Sequence, residues 1–263
     1  MAVDILDLAE FYAAPRGQMV QRQITRAIAQ CWTPAGDDVL VGYGYAPPYA
    51  AALWPDGHWH FLMPGQQGVM IAPSEARRMT ALVQETDWPL RDASVNRVLM
   101  VHGLEAANQS EALLGEVWRV LVPNGRVIML VPNRTGFWAR RDGTPFGTGR
   151  PYSRGQLRRM VKQAGFVLRD MQPVLMVPPQ LPVRVQEILA RPAGLLRYIV
   201  PQIGGLWLVE AQKQLPAPLR AQRRQWHYAG VRVRPALSST SSFTDKNKLP
   251  SAALQQINRH FSQ

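Results

Sequence analysis

The sequence is poor in several things, and each shortage excludes something. It has one cysteine, Cys31, in 263 residues. No internal disulfide can form and no thiolate cluster can hold zinc, so a reducing compartment is expected. It has no long apolar run. The most apolar late stretch, Leu195 to Val209, is broken by Arg197, Pro201, Gly204 and Gly205, short of the roughly 20 residues a bilayer-spanning helix needs. The N-terminus, MAVDILDLAEFY, carries Asp4, Asp7 and Glu10 where a secretory leader would be basic and then apolar. These absences predict a cytoplasmic protein. Acids are also scarce, 18 against 30 lysines and arginines, for a net charge of +12. Much of that excess lies late: beyond Gln212 nine basic residues face Asp245 alone. The body before it is only mildly basic.

What is present is a regular alternation. Apolar positions Ile5, Leu8, Phe11 and Tyr12, then Val20, Ile24, Ala27, Ile28 and Cys31, recur every three or four residues and predict two helices with one buried face each. A strand is expected over Val39 to Gly42, a short helix over 50–53, and strands over 60–63, 79–83 and 97–101. A helix over 110–120 and a strand over 126–131 follow, with Pro123-Asn124-Gly125 as the turn between them. Ser153 is placed to cap a helix over 154–163 that Gly165 stops. A strand over 166–171, proline-rich sequence over 173–182, a helix over 183–189 and a strand over 206–211 complete the body. Short strands alternating with helices imply a mostly parallel sheet covered on both faces. The expected division is a helical segment over 1–36, an α/β domain over 37–213, and a basic, flexible extension over 214–263. That extension includes the polar run Ser-Ser-Thr-Ser-Ser, which has too little apolar bulk to order itself.

Three segments carry a family likeness: DWPLRDASVNRVLMVHGLEAA, ALLGEVWRVLVPNGRVIMLVPN and YSRGQLRRMVKQAGF. In order and spacing, together with VLVGYGYA at residues 39–46, they resemble the class I S-adenosylmethionine-dependent methyltransferases of the type 11 kind. The resemblance implies a Rossmann-like fold with a seven-stranded, mostly parallel sheet, S-adenosylmethionine as cofactor, and methyl transfer to an acceptor the sequence does not specify. It implies cofactor contacts from the glycine turn, Gly42, Tyr43 and Gly44, with Ala46 where a third glycine is usual. At the end of the second strand it implies Met63 and Gln66. On the loop after the third strand it implies Glu85, Asp87 and Trp88, with Gln84 an alternative for the polar role. His102, after the fourth strand, is the candidate catalytic base, with Glu105 placed to orient it.

The likeness is incomplete at two acids. Leu40 stands where an acid usually precedes the first glycine, and no carboxylate lies near Met63. A charge-assisted hydrogen bond contributes about 1.5–3 kcal/mol, so each loss weakens binding by roughly ten- to a hundredfold unless another group compensates. The rival reading is therefore a catalytically degenerate subunit acting through a protein complex, for which the resemblance suggests a glyoxalase II type hydrolase. RNA methylation ranks third, because the positive charge lies mainly outside the domain. Methyl transfer requires a crevice still shaped for a sulfonium donor; one plugged by the chain's own side chains would end the enzyme reading.

Three further clusters bring together side chains capable of binding. His58-Trp59-His60 would put two imidazoles on one side of a strand, but no third ligand is near, so no metal site is expected. In and just before an arginine-rich loop over 140–152, Phe137, Trp138, Phe146 and Tyr152 could wall a pocket, with the arginines binding an anionic substrate or partner. Trp226-His227-Tyr228 among the arginines of the extension is the segment expected to engage a protein partner, with nucleic acid the weaker alternative.

Overall fold

The computed structural model describes residues 4–33, 36–68, 79–140 and 143–214. Helices α1 (Ile5–Ala13) and α2 (Pro15–Cys31) precede β1 (Val39–Gly44), α3 (Pro47–Leu53), β2 (His58–Pro64), β3 (Met79–Val83) and β4 (Val95–Val101). Then come α4 (Ser110–Val120), β5 (Leu121–Pro132), α5 (Arg154–Gln163), β6 (Phe166–Val174), α6 (Val183–Ile199) and β7 (Leu206–Lys213). The seven strands form one sheet in the order β3-β2-β1-β4-β5-β7-β6, parallel except for β7, which runs antiparallel to both of its neighbours. The expected Rossmann-like architecture is therefore the observed one.

Strand burial explains the layers. In β1 every residue after Val39 is buried, as both-face coverage of a parallel sheet requires. On one face Leu40, Trp59, Phe61, Leu99 and Ile128 pack with Ile5, Leu8, Tyr12, Val20, Ile24 and Ile28 of α1 and α2. On the other, Val41, Tyr43, Val98 and Met100 pack with Leu113, Val117 and Val120 of α4 and Leu157 and Val161 of α5. The first two helices thus share a core with the sheet.

Several boundaries differ from expectation for physical reasons. Helix α3 begins at Pro47, not near Ala50, because its first turn needs no backbone N–H from Pro47 and Pro48. Strand β2 begins at His58, two residues before its expected start: buried Trp59 alternates with two half-buried histidines. Strand β5 includes the expected Pro-Asn-Gly turn. Pairing jumps from Val95↔Leu121 to Arg97↔Arg126, so Val122 to Gly125 loop out of the ladder with Asn124 at φ 65°. Strand β6 runs on to Val174 and α6 to Ile199, past Pro192. The Ser153 cap and the Gly165 stop are as expected: Ser153 and Gln156 form a reciprocal capping box, and Gly165 takes φ 82°.

Candidate functional site

Strand order reverses between β1 and β4, the position at which open α/β sheets take ligands beyond the carboxyl ends of their strands. Gly44 ends β1 there at φ 73°, and a Cβ on it would collide with the Val101 carbonyl. Glycine is required by both the turn and the close approach of the two strands. Gly42 is required differently, since a Cβ would meet the Phe61 ring at 2.7 Å and Ala46 at 2.8 Å.

His102 follows β4 on the same rim. It is 3% exposed and holds φ 53°, a left-handed backbone that costs a non-glycine residue about 1–3 kcal/mol and persists only where surroundings impose it. Here they do. Its Nε2 lies 2.8 Å from the Tyr12 hydroxyl and its Nδ1 3.0 Å from Glu105 Oε1. A ring protonated at Nδ1 satisfies both contacts, donating to the carboxylate and accepting from the phenol. The Gln67 side-chain amide donates to the His102 carbonyl. Around this centre Tyr12 stacks on Tyr45 at 4.9 Å, and the Phe146 ring lies 5.1 Å from His102. Burial, with Tyr49 and Tyr45 nearby, pushes the Tyr12 phenol well above its ordinary range, so it is a neutral donor.

The end of the crevice expected to take the methionine part is thus filled from α1. Ile5 N–H donates to the Gln67 carbonyl at 2.8 Å, fastening the start of the helix to the loop after β2. The Tyr45 N–H, at the turn where a cofactor carboxylate would sit, donates instead to the Val101 carbonyl. Among the described residues, Gln67 Oε1 and Glu105 Oε2 are buried here without a hydrogen-bond partner, and Tyr49 Oη lies against the Tyr12 hydroxyl. Such groups are costly when unsatisfied, and together they leave a polar lining under the Tyr12 ring.

The other end is open. A cavity of about 260 Å³ is lined by residues that include Pro64, Gly65, Gln66, Gln84, Glu85 and Asn108. Pockets for whole organic ligands run about 300–1,000 Å³, so this one suits a fragment such as a nucleoside. Glu85 is partly committed: its two oxygens accept from the Asn108 and Gln109 N–H groups, each at 2.9 Å, at the start of α4.

The sequence-derived candidates therefore fall into separate places. Gly44 and His102 meet at the filled end, and Gln66 and Glu85 meet at the open end. Met63 and Ala46 are fully buried in the core beside α1 and α2. Tyr43 and Trp88 stack at 5.1 Å in the core of the opposite face. Asp87 is exposed beside them, in a groove shared with Glu116 and Arg119. Leu40 is 1% exposed, so a lone carboxylate there would be buried among apolar groups. Of the loop aromatics, Trp138, Phe146 and Tyr152 are buried and Phe137 is 39% exposed. The extension's candidate aromatics, Trp226 to Tyr228, lie outside the described residues.

Sequence reasoning missed Tyr12, Tyr45 and Gln67 as parts of this site. The only signal for the two tyrosines was aromatic density, FY at 11–12 and YGY at 43–45, which reads equally well as core, and Gln67 had none beyond its place next to Gln66.

S-adenosylmethionine fits half of this arrangement. The open cavity accepts its adenosine part, whereas the groups that would meet its amino-acid part are bonded to one another.

Comparison with known proteins agrees with the topology. Residues 66–129 match the model of the methyltransferase domain family. No curated protein matches the chain by sequence. A SAM-dependent methyltransferase of Thermotoga maritima superposes with a TM-score of 0.54 at 16% identity, covering 80% of this chain and 96% of that one. The methyltransferase in complex with the Haloferax volcanii activator Trm112 gives 0.54 at 17%, covering 80% and 98%. The [4+2]-cyclase SpnF gives 0.51 at 16%, covering 74% and 81%.

Proposed function

We propose, on the premise that this chain belongs by fold to the class I methyltransferases, that it is an S-adenosylmethionine-dependent methyltransferase whose crevice is closed by its own first helix. The observation that carries this reading is the Tyr12–His102–Glu105 chain at the carboxyl end of β4, beside Gly44. A structural core has little use for a strained, buried histidine backed by a carboxylate with a spare oxygen. An enzyme does. The bound cofactor supplies a methyl group on a sulfonium, and the transfer needs alignment more than acid or base chemistry. When Tyr12 leaves, Nε2 of His102 is free to hold or accept a proton from an acceptor O–H or N–H, while Glu105 keeps the ring oriented. Gln66 and Glu85 would face the adenosine part.

As found, the crevice is plugged by the chain's own side chains, the condition set against an enzyme, so this reading stands only if α1 leaves, and the cost of its leaving can be measured. Exposing the Tyr12 ring costs about 1.5–3 kcal/mol, and its hydrogen bond about 1 kcal/mol more. Affinity for a ligand that needs the open state falls in proportion to the open fraction, here on the order of a hundredfold or more. Calorimetric titration with S-adenosylmethionine and its demethylated product tests this. Tyr12→Ala is expected to bind at least tenfold more tightly than the parent chain, and Gly44→Asp to abolish binding in both.

A second reading is favoured by the closed bonding itself together with the two absent acids: a non-catalytic methyltransferase-fold subunit. In that case neither the parent chain nor Tyr12→Ala gives heat at millimolar ligand. The basic extension from 214 would then engage a protein partner, with a glyoxalase II type hydrolase the specific candidate, and co-purification with it tests that assignment. The fold admits either outcome. One neighbour is named for a cyclisation and another is held with an activator protein, and a shared fold does not fix a reaction.

A further inference from the structure

A second hollow among the described residues lies away from the cofactor crevice. It is a groove of about 850 Å³ between α2, the residues that end and follow β6, and the first part of α6. Its floor holds the apolar side chains of Met19, Val174, Leu175, Met176 and Val177, all buried, with Ile188 73% exposed at the edge, and Gln23, Gln30 and Gln172 add amides to the lining. Its rim is cationic. Arg22, Arg26 and Arg184 line it, with Glu187 the one carboxylate among the lining residues. Glu187 pairs with Arg22 at 2.5 Å, linking α2 to α6. Arg26 and Arg184 form no ion pair among the described residues.

We propose that this groove binds an amphiphilic anion, an apolar chain ending in a phosphate or carboxylate head. Two guanidinium groups without carboxylate partners offer planar forks that match an oxyanion, and exposed cations of one sign draw it in. The apolar floor beside them accounts for the chain. The site is separate from the crevice. The Trp138 indole N–H donates to the Val177 carbonyl at 2.9 Å, and Phe146 stands between, 5.7 Å from Trp138 and 5.1 Å from His102. These rings stand between the groove and His102.

The test is direct binding to the full chain, with no cofactor present. Octyl phosphate, kept below its micelle threshold, is expected to bind saturably at one site, with octanoate revealing which head is preferred. Octan-1-ol and inorganic phosphate, each lacking one half of the chemistry, are expected to bind at least tenfold more weakly. The exposed pair Arg26→Ala/Arg184→Ala should weaken octyl phosphate binding by tenfold or more while leaving thermal unfolding unchanged. The proposal fails if octanol or phosphate alone binds as well as octyl phosphate, or if the double variant binds normally. It also fails if a decaglutamate peptide competes with equal affinity, which would make the groove a docking site for acidic protein. Failure of the cofactor titrations would leave this result untouched.

Discussion

At the scale of single residues, the side chain that organises the crevice rim is Glu116 rather than any of the candidate ligands. Its Oε1 accepts the Trp88 N–H at 2.8 Å and the Arg119 Nη2 at 2.6 Å, and its Oε2 accepts Arg119 Nε at 2.9 Å. Arg119 in turn donates to the Trp88 and Leu90 carbonyls and to Asp92. This cluster fixes the loop that carries Glu85 and Asp87. The hydrogen bonds that Arg119 donates hold the Glu116 carboxyl below its ordinary range, and with Glu116 and Asp92 as their acceptors they raise the guanidinium. Because the folded carboxyl titrates below the unfolded one, its contribution is complete above about pH 4.5 and is lost as pH falls through the folded value. Glu116→Gln keeps the shape and an acceptor for Trp88 but removes the charge, and should lower stability by about 1–3 kcal/mol at pH 7. Urea unfolding of both chains between pH 3 and 7 checks it. The difference should shrink as pH falls below 4.5; a constant difference would mean that packing, not ionisation, carries the effect.

At the scale of elements, the local signals that were legible are those whose partners lie within a few residues. The α5 capping box is an example: Gln156 Oε1 accepts the Ser153 N–H at 2.9 Å and Ser153 Oγ accepts the Gln156 N–H at 3.3 Å. Ser153→Ala removes one half of it and should cost about 1 kcal/mol, seen as a lower urea midpoint with an unchanged slope. A changed slope would mean that the helix end had reorganised instead. The strands and the order of the alternation were legible for the same reason, since two-residue and 3.6-residue periods are local. What was not legible depends on contacts across the chain. Helix α1 read as a generic amphipathic segment, but the phenol on its buried face travels 90 positions to reach His102. Gly42 and Gly44 read as a cofactor turn, and their backbone role is real, yet the atoms nearest Gly42 belong to Phe61 and Ala46. Met63 and Trp88 occupy expected places in the chain and bury their side chains in the core, because a position on a strand end does not say which face its side chain takes.

At the scale of the whole molecule, phenols report whether the two faces of the sheet stay closed. Burial pushes Tyr12, Tyr45 and Tyr49 up on the α1 and α2 face, and pushes Tyr43 up on the α4 face, with Glu85 adding to the last. The sign is that of an acid kept neutral by folding. Stability is complete below the unfolded phenol value near 10 and is lost as pH rises above it, because the unfolded chain ionises first. Four of the seven tyrosines should therefore stay protonated above pH 10 until the fold opens, giving a delayed rise in phenolate absorbance that coincides with loss of near-ultraviolet circular dichroism. Tyr12→Phe removes one phenolate from the delayed group if α1 is seated in solution as it is in the structure. If α1 spends most of its time away from the sheet, that phenolate is missing from the early phase instead. The same substitution then locates Tyr12 in the ensemble, and it sets the open fraction that the cofactor titrations depend on. A single reversible titration of all seven phenols with the fold intact would contradict both the burial of the aromatic cluster and the closure of the crevice.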